Sequence, residues 1–183
     1  MKYLRIRFAA TAAAGVLLGV ALAGCSGISV ENDYDPSQDF SKFKSWTWAP
    51  MQPQADGSDF SRVSNLTLER IHGAVQNELT QRGFTKTESD KADFWVQHYA
   101  AVGQRIEPYA GYNHGWYGDD VIVTEEGTIV VDFISPKDKR LVWRGTARSA
   151  IDEDMTPEDR ETRIREAVKE ILAQFPPKTA KKE

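Results

Sequence analysis

The sequence is poor in the residues that chemistry usually needs. It has three histidines and one cysteine in 183 residues. It contains no Gly-x-Ser-x-Gly elbow, no His-Glu-x-x-His pair and no Gly-x-x-x-x-Gly-Lys-Ser/Thr loop. That removes the common local ways of mounting a serine nucleophile, a zinc ion or a nucleotide phosphate. Its longest uncharged apolar run, Phe8 to Ala23, is about 16 residues, short of the ~20 that a spanning helix needs. Positive charge is in deficit, with 23 Lys and Arg against 27 Asp and Glu.

What is there begins at the N-terminus. Lys2, Arg5 and Arg7 precede the apolar run, and Leu22-Ala23-Gly24-Cys25 closes it. This is the charged region, apolar region and small-residue cleavage site of a secretion signal. Leu-Ala-Gly-Cys resembles the lipobox of bacterial lipoproteins, which implies that residues 1–24 are removed and that Cys25 becomes an acylated N-terminus. A lipidated Cys25 leaves the mature domain without a free thiol, so cysteine nucleophiles, disulfides and thiolate metal sites are excluded together. More than one acyl chain gives stable anchoring, at about 0.8 kcal/mol per buried CH₂. The next residue is Ser26 rather than Asp, which resembles the outer-membrane pattern in envelopes that sort their lipoproteins. The expected location is therefore the periplasmic side of the outer membrane.

Residues 25–183 suit one domain with a real core. Removing the signal takes three basic residues and no acidic one, which leaves 20 Lys and Arg against 27 Asp and Glu, a net charge of −7. Such a surface is ill suited to nucleic acid or to anionic lipid. Lys178, Lys181 and Lys182 are too few to reverse it, and Glu183 follows them.

Alternation predicts a first strand over 28–34 and a short one at Ser45-Trp46-Thr47-Trp48-Ala49. Pro50 to Ser58 reads as a surface loop. A helix is expected over 60–82, with Val63, Leu66, Ile71, Ala74, Val75 and Leu79 near one stripe. Ser58 or Ser61 is its expected cap, and Gly83 with Phe84 its end. His72 falls beside that stripe, as a helix-surface histidine. Lys86 to Lys91 reads as a connection. Strands follow at 92–100, 127–134 and 140–147, the middle one extended back through Val121-Ile122-Val123 past a kink at Gly127. Ser135-Pro136-Lys137-Asp138-Lys139 makes the last two a hairpin. Gly145 inside its strand predicts a bulge or a close backbone contact. Thr156, Pro157, Glu158 and Asp159 start the last helix, whose apolar face is Ile164, Ala167, Val168, Ile171, Leu172 and Phe175. Pro176-Pro177 stops it. The expected fold class is α+β: a two-layer sandwich of a mostly antiparallel sheet with two helices on one face.

Several of these pieces match one pattern together. They are Tyr34-Asp35-Pro36-Ser37, Asp39 to Phe43, Trp46-Thr47-Trp48, Ala92-Asp93-Phe94, Gly127 to Asp132, Leu141-Val142-Trp143-Arg144-Gly145-Thr146-Ala147 and Phe175-Pro176-Pro177. The chain resembles the bacterial lipoprotein family catalogued as "domain of unknown function 4136". The resemblance implies an envelope lipoprotein with an α+β domain, and it brings no catalytic residue with it.

Asp152-Glu153-Asp154 has the opening of a calcium loop, but Pro157 stands where that loop needs glycine, so it reads as an acidic helix start. His98 alternates with apolar residues and reads as a satisfied sheet histidine. Arg144 is expected to pair with Asp132 across the hairpin. No catalytic residue, metal or cofactor is expected. The segment 103–120 stands out: Tyr109, Tyr112, His114, Trp116 and Tyr117 alternate with glycines, offering large amphipathic contact area at low entropy cost. They are the candidate partner-binding residues, for an envelope protein or for glycan. The main expectation is a non-catalytic, lipid-anchored binding module. One alternative is a metal-dependent or hydrolytic enzyme using His98, His114 and Asp119 or Asp120. Another is a structural spacer.

Overall fold

The computed structural model describes residues 27–50, 63–88, 91–108, 121–152 and 154–177. Six strands form one sheet: β1 (Ile28–Tyr34), β2 (Ser45–Trp48), β3 (Thr85–Lys86), β4 (Phe94–Pro108), β5 (Val121–Ile134) and β6 (Leu141–Ala150). Two helices, α1 (Asn65–Gln81) and α2 (Pro157–Ala173), and a 3₁₀ turn at Phe40–Lys42 are the other elements among the described residues. The sheet order is β1-β6-β5-β4-β2-β3. The β1–β6, β6–β5 and β5–β4 pairs are antiparallel, and β4–β2 and β2–β3 are parallel. The fold is the expected α+β arrangement, with a parallel edge added. The two-residue β3 lies at the start of the expected connection, and a parallel neighbour of β2 needs a crossover, which α1 supplies.

Both helices cover one face of the sheet. α1 starts at Ser64, not at Ser58 or Ser61, because the Ser64 side chain accepts from the Thr67 N–H. Leu66 drops out of the apolar stripe and is 63% exposed; five residues before Ile71, it is turned about 140° away from it. The helix ends as expected. Gly83 takes φ +85°, its N–H donates to Thr80 O and the Phe84 N–H to Leu79 O, the two bonds of a Schellman cap. In α2 the Thr156 side chain accepts from the Asp159 N–H, with Pro157 in the first turn.

The β5 ladder runs straight through Gly127, and its register shift falls at Phe133/Ile134 instead. Gly145 is a close contact rather than a bulge. A Cβ there would lie 2.5 Å from the Ile171 methyl and 2.5 Å from a ring carbon of Trp143.

The core is graded along the strands. At the C-terminal end of α2, Phe175 sits among Phe40, Phe43, Phe84, Phe94, Phe133 and Trp143, with ring centroids 4.7–6.3 Å away. Toward the N-terminal ends of the helices the core-facing residues become small: Ala100, Ala147 and Ala167, each buried.

The resemblance motifs resolve into fold-holding contacts. Asp35 accepts from the N–H and hydroxyl of Ser37 and donates its own N–H to Val142 O, which ties the first turn to β6. One carboxylate oxygen of Asp93 accepts from the Lys44 N–H, the Ser45 N–H and the Ser45 hydroxyl at 2.7–2.9 Å. That clamps the start of β4 to β2. Arg144 grips the buried Asp132 with two parallel bonds of 2.7 and 2.6 Å, as expected across the hairpin.

Candidate functional site

Strand length creates the first candidate feature. β2 pairs with β4 only as far as Val96, and β6 pairs with β5 only as far as Glu126, with one further bond from the Ile151 N–H to Glu125 O. β4 and β5 continue together beyond both. Gln104–Pro108 and Val121–Glu125 make five more cross-strand pairs, a two-stranded ribbon about 15 Å long at ~3.3 Å per residue. Among the described residues no other strand pairs with either edge of it. Ile106 and Val123 face each other across the ribbon, 64% and 53% exposed. They continue the core face of the sheet past the helix layer. Ile122, 46% exposed, is on the opposite face, the face where Arg105 meets Glu126 at 3.8 Å. A projecting ribbon with unpaired edges and apolar side chains is the arrangement that pairs with another chain unless something blunts it.

Residues 109–120 join the two strands of this ribbon in sequence. Tyr109, Tyr112, His114, Trp116 and Tyr117, together with Asp119 and Asp120, lie outside the described residues, as does Cys25.

The second feature was not legible at sequence level. His72 and His98 come together, with His72 Nδ1 3.4 Å from His98 Nε2. The His72 ring stacks on Trp48 at 3.9 Å between centroids, and His98 meets the same indole edge-on at 5.6 Å. His72 is exposed on the helix surface, as expected, but it belongs to a cluster with Trp48 and His98. His98 is not a satisfied sheet histidine, because its buried Nδ1 has no partner among the described residues. These residues are 26 positions apart on α1 and β4, and only helix docking joins them. The usable signal was the parity of His98 with Phe94 and Val96, the core-facing residues of β4.

Burial, and then the neighbouring His72, lowers His98 from the usual 6.5 to about 4; burial and Lys86 lower His72 as well. At neutral pH His98 is an uncharged ring with its second nitrogen shut from water, which suits packing better than proton transfer. Among the described residues no group of three or more His, Cys, Asp or Glu is placed to hold a metal ion.

The lowered value has a stability consequence with a definite sign. The unfolded chain protonates His98 near 6.5 and the folded chain near 4, so the unfolded state binds more protons between those values. The contribution is complete above pH 6.5 and is lost as pH falls toward 4, reaching about 3 kcal/mol. Urea midpoints measured at pH 7, 5.5 and 4 should fall further in the wild type than in His98→Leu. Parallel falls in the two proteins would remove His98 as the cause.

The family described as Domain of unknown function (DUF4136) matches residues 30–177. No curated protein matches the chain. Among solved structures, a PDZ domain protein from Parabacteroides distasonis is similar at TM-score 0.53 and 18% identity, over 84% of this chain and 37% of that one. The chain thus spans little more than a third of that protein, and the likeness is one of fold. Two crystal forms of the PelC dodecamer from Paraburkholderia phytofirmans match at TM-score 0.43 and 11% identity, over 80% of this chain and 95% or 96% of theirs.

Proposed function

The chain belongs to the family described as Domain of unknown function (DUF4136), and on that premise we propose that it is a lipid-anchored, non-catalytic envelope domain that binds another protein through the β4–β5 ribbon. The observation that carries this reading is the exposed Ile106–Val123 pair on a ribbon whose edges are unpaired among the described residues. A two-stranded ribbon is marginal by itself in water. Pairing of its edge with a partner strand satisfies backbone groups while the pair buries apolar area, the combination used in strand addition. Tyr109, Tyr112, His114, Trp116 and Tyr117, which follow the ribbon's first strand in sequence, are further partner-binding residues in this reading. Cys25 is its lipid attachment site. Leu22-Ala23-Gly24-Cys25 and Ser26 favour the outer membrane, with the domain facing the periplasm.

The test uses the full chain in living cells. A photo-crosslinking residue at Ile106 is expected to give a discrete adduct, and the same residue at Leu66, 63% exposed on α1, none. Ile106→Asp with Val123→Asp should abolish association while leaving the melting temperature within a few degrees. Identical crosslinking from both positions would end the ribbon assignment. Independently, Cys25→Ser should shift the protein from the membrane fraction to the soluble one and stop incorporation of a palmitate analogue. An unchanged distribution would remove the anchor.

A further inference from the structure

The end of the sandwich where the core side chains are small contains a cavity of about 240 Å³, bounded by β1, β4, β5, β6 and the N-terminal halves of both helices. Its floor is Ile71, Ala100, Ala147, Ile164 and Ala167, all buried. Val102, Ile129, Ile151 and Met155 continue the apolar wall, and exposed Ser64, Ala150 and Arg160 stand at the rim. A space lined this way is unfavourable for water, which needs two to four polar partners, and favourable for an apolar molecule. At about 30 Å³ per water-sized group, it has room for an aliphatic chain of roughly eight carbons.

Four charged residues line the cavity: Asp152 and Arg160 are exposed, Arg148 pairs with Glu31 at 2.7 Å, and Arg163 gives the cavity its polar end. Arg163, half-buried on α2, lines it. A terminal guanidinium nitrogen donates to the Ser149 hydroxyl at 2.8 Å. Among the described residues its buried Nε has no hydrogen-bond partner and no carboxylate forms an ion pair with it. A guanidinium presents five donors in a rigid fork and cannot lose its charge. Leaving a buried donor unmade is unfavourable, and an acceptor oxygen arriving with a ligand would relieve it. The other well-packed end of the sandwich, filled by seven aromatic rings, shows that this chain can fill its core where it needs to. Here it places alanines around a gap instead, with a cation beside it.

We infer that this cavity binds an aliphatic acyl chain, its tail against Ile71, Ala147, Ile164 and Ala167 and its carboxylate or carbonyl oxygen on Arg163. Two sources have this chemistry. One is a free aliphatic carboxylic acid. The other is an acyl group attached to Cys25, which stands two residues before Gly27, where a Cβ would come within 3.4 Å of the Arg163 guanidinium.

The test titrates the purified full chain with octanoate, with shorter homologues and with octanol, by calorimetry. Octanoate should bind, and affinity should rise about fourfold per methylene up to roughly eight carbons. Arg163→Gln should weaken octanoate at least tenfold and leave octanol within twofold. Ala167→Leu, checked for a cooperative melt, should abolish both; if it fails to fold, Ala100→Leu replaces it. The source is read by comparing wild type extracted from membranes with Cys25→Ser. Octanoate binding only to Cys25→Ser means that the attached lipid fills the cavity, and equal binding to both means that free acids do. Absence of binding in both proteins, or equal octanoate affinity in Cys25→Ser with and without Arg163→Gln, would overturn the inference.

Discussion

Ile171→Asp is expected to leave no cooperatively folded protein at neutral pH. Ile171 is fully buried in the last turn of α2 and packs over Gly145 of β6. Truncating a buried isoleucine costs about 2–5 kcal/mol through lost transfer energy and the cavity left behind. A carboxylate in its place adds several kcal/mol more, because the ion must be desolvated or take up a proton. Domains of this size have about 5–15 kcal/mol in hand, so the two terms together consume most or all of it. Ile171→Val should cost only about 0.5–1.5 kcal/mol and separates loss of volume from introduction of charge. Circular dichroism and tryptophan fluorescence on urea titration are the measurements. A soluble Ile171→Asp protein with a sharp transition would mean that α2 does not pack on β6 by this face.

Gly145→Val should be nearly as damaging, for the opposite reason. The site has no spare space: a Cβ would lie 2.5 Å from Ile171 and from Trp143, and 3.1 Å from a second carbon of the same indole. Neither neighbour can retreat. Trp143 and Ile171 are both fully buried, and the indole is held against Phe133 and Phe175 at 4.7 and 5.4 Å. Inserting methylenes into such packing costs about 1–3 kcal/mol, occasionally more. Gly145→Ala should fall in that range and Gly145→Val above it. The decisive measurement is a double-mutant cycle. Gly145→Ala combined with Ile171→Ala should be destabilised by less than the sum of the two single changes, since truncating Ile171 vacates one of the two collisions. Strict additivity would show that the helix is not seated on the glycine.

The family-like motifs prove to be fold chemistry. Asp35 ties a turn to β6, Asp93 clamps β4 to β2, Trp143 and Gly145 seat α2, and Arg144 holds a buried carboxylate. A resemblance built from such residues specifies a scaffold and says little about what the scaffold binds, because binding surfaces are added where the scaffold does not constrain the chain. The match over residues 30–177 and the fold likeness at TM-score 0.53 agree with that division.

Local chemistry determined much of this protein without any fold. The alternation of 28–34, the Ser135–Lys139 turn, the Thr156-Pro157 start and the Gly83-Phe84 stop were legible because each depends on neighbours within about four residues. The Asp132–Arg144 pair was legible because a hairpin fixes its register across a short turn. The parallel β3 edge, the His72–His98 contact over Trp48, the projection of the β4–β5 ribbon and the cavity beside Arg163 were decided only in three dimensions. Each depends on where one element stops relative to another distant in sequence, and on which side chains the helices cover when they dock. Strand alternation says which face a residue takes; it does not say how far the neighbouring strand runs, or whether a helix lies above.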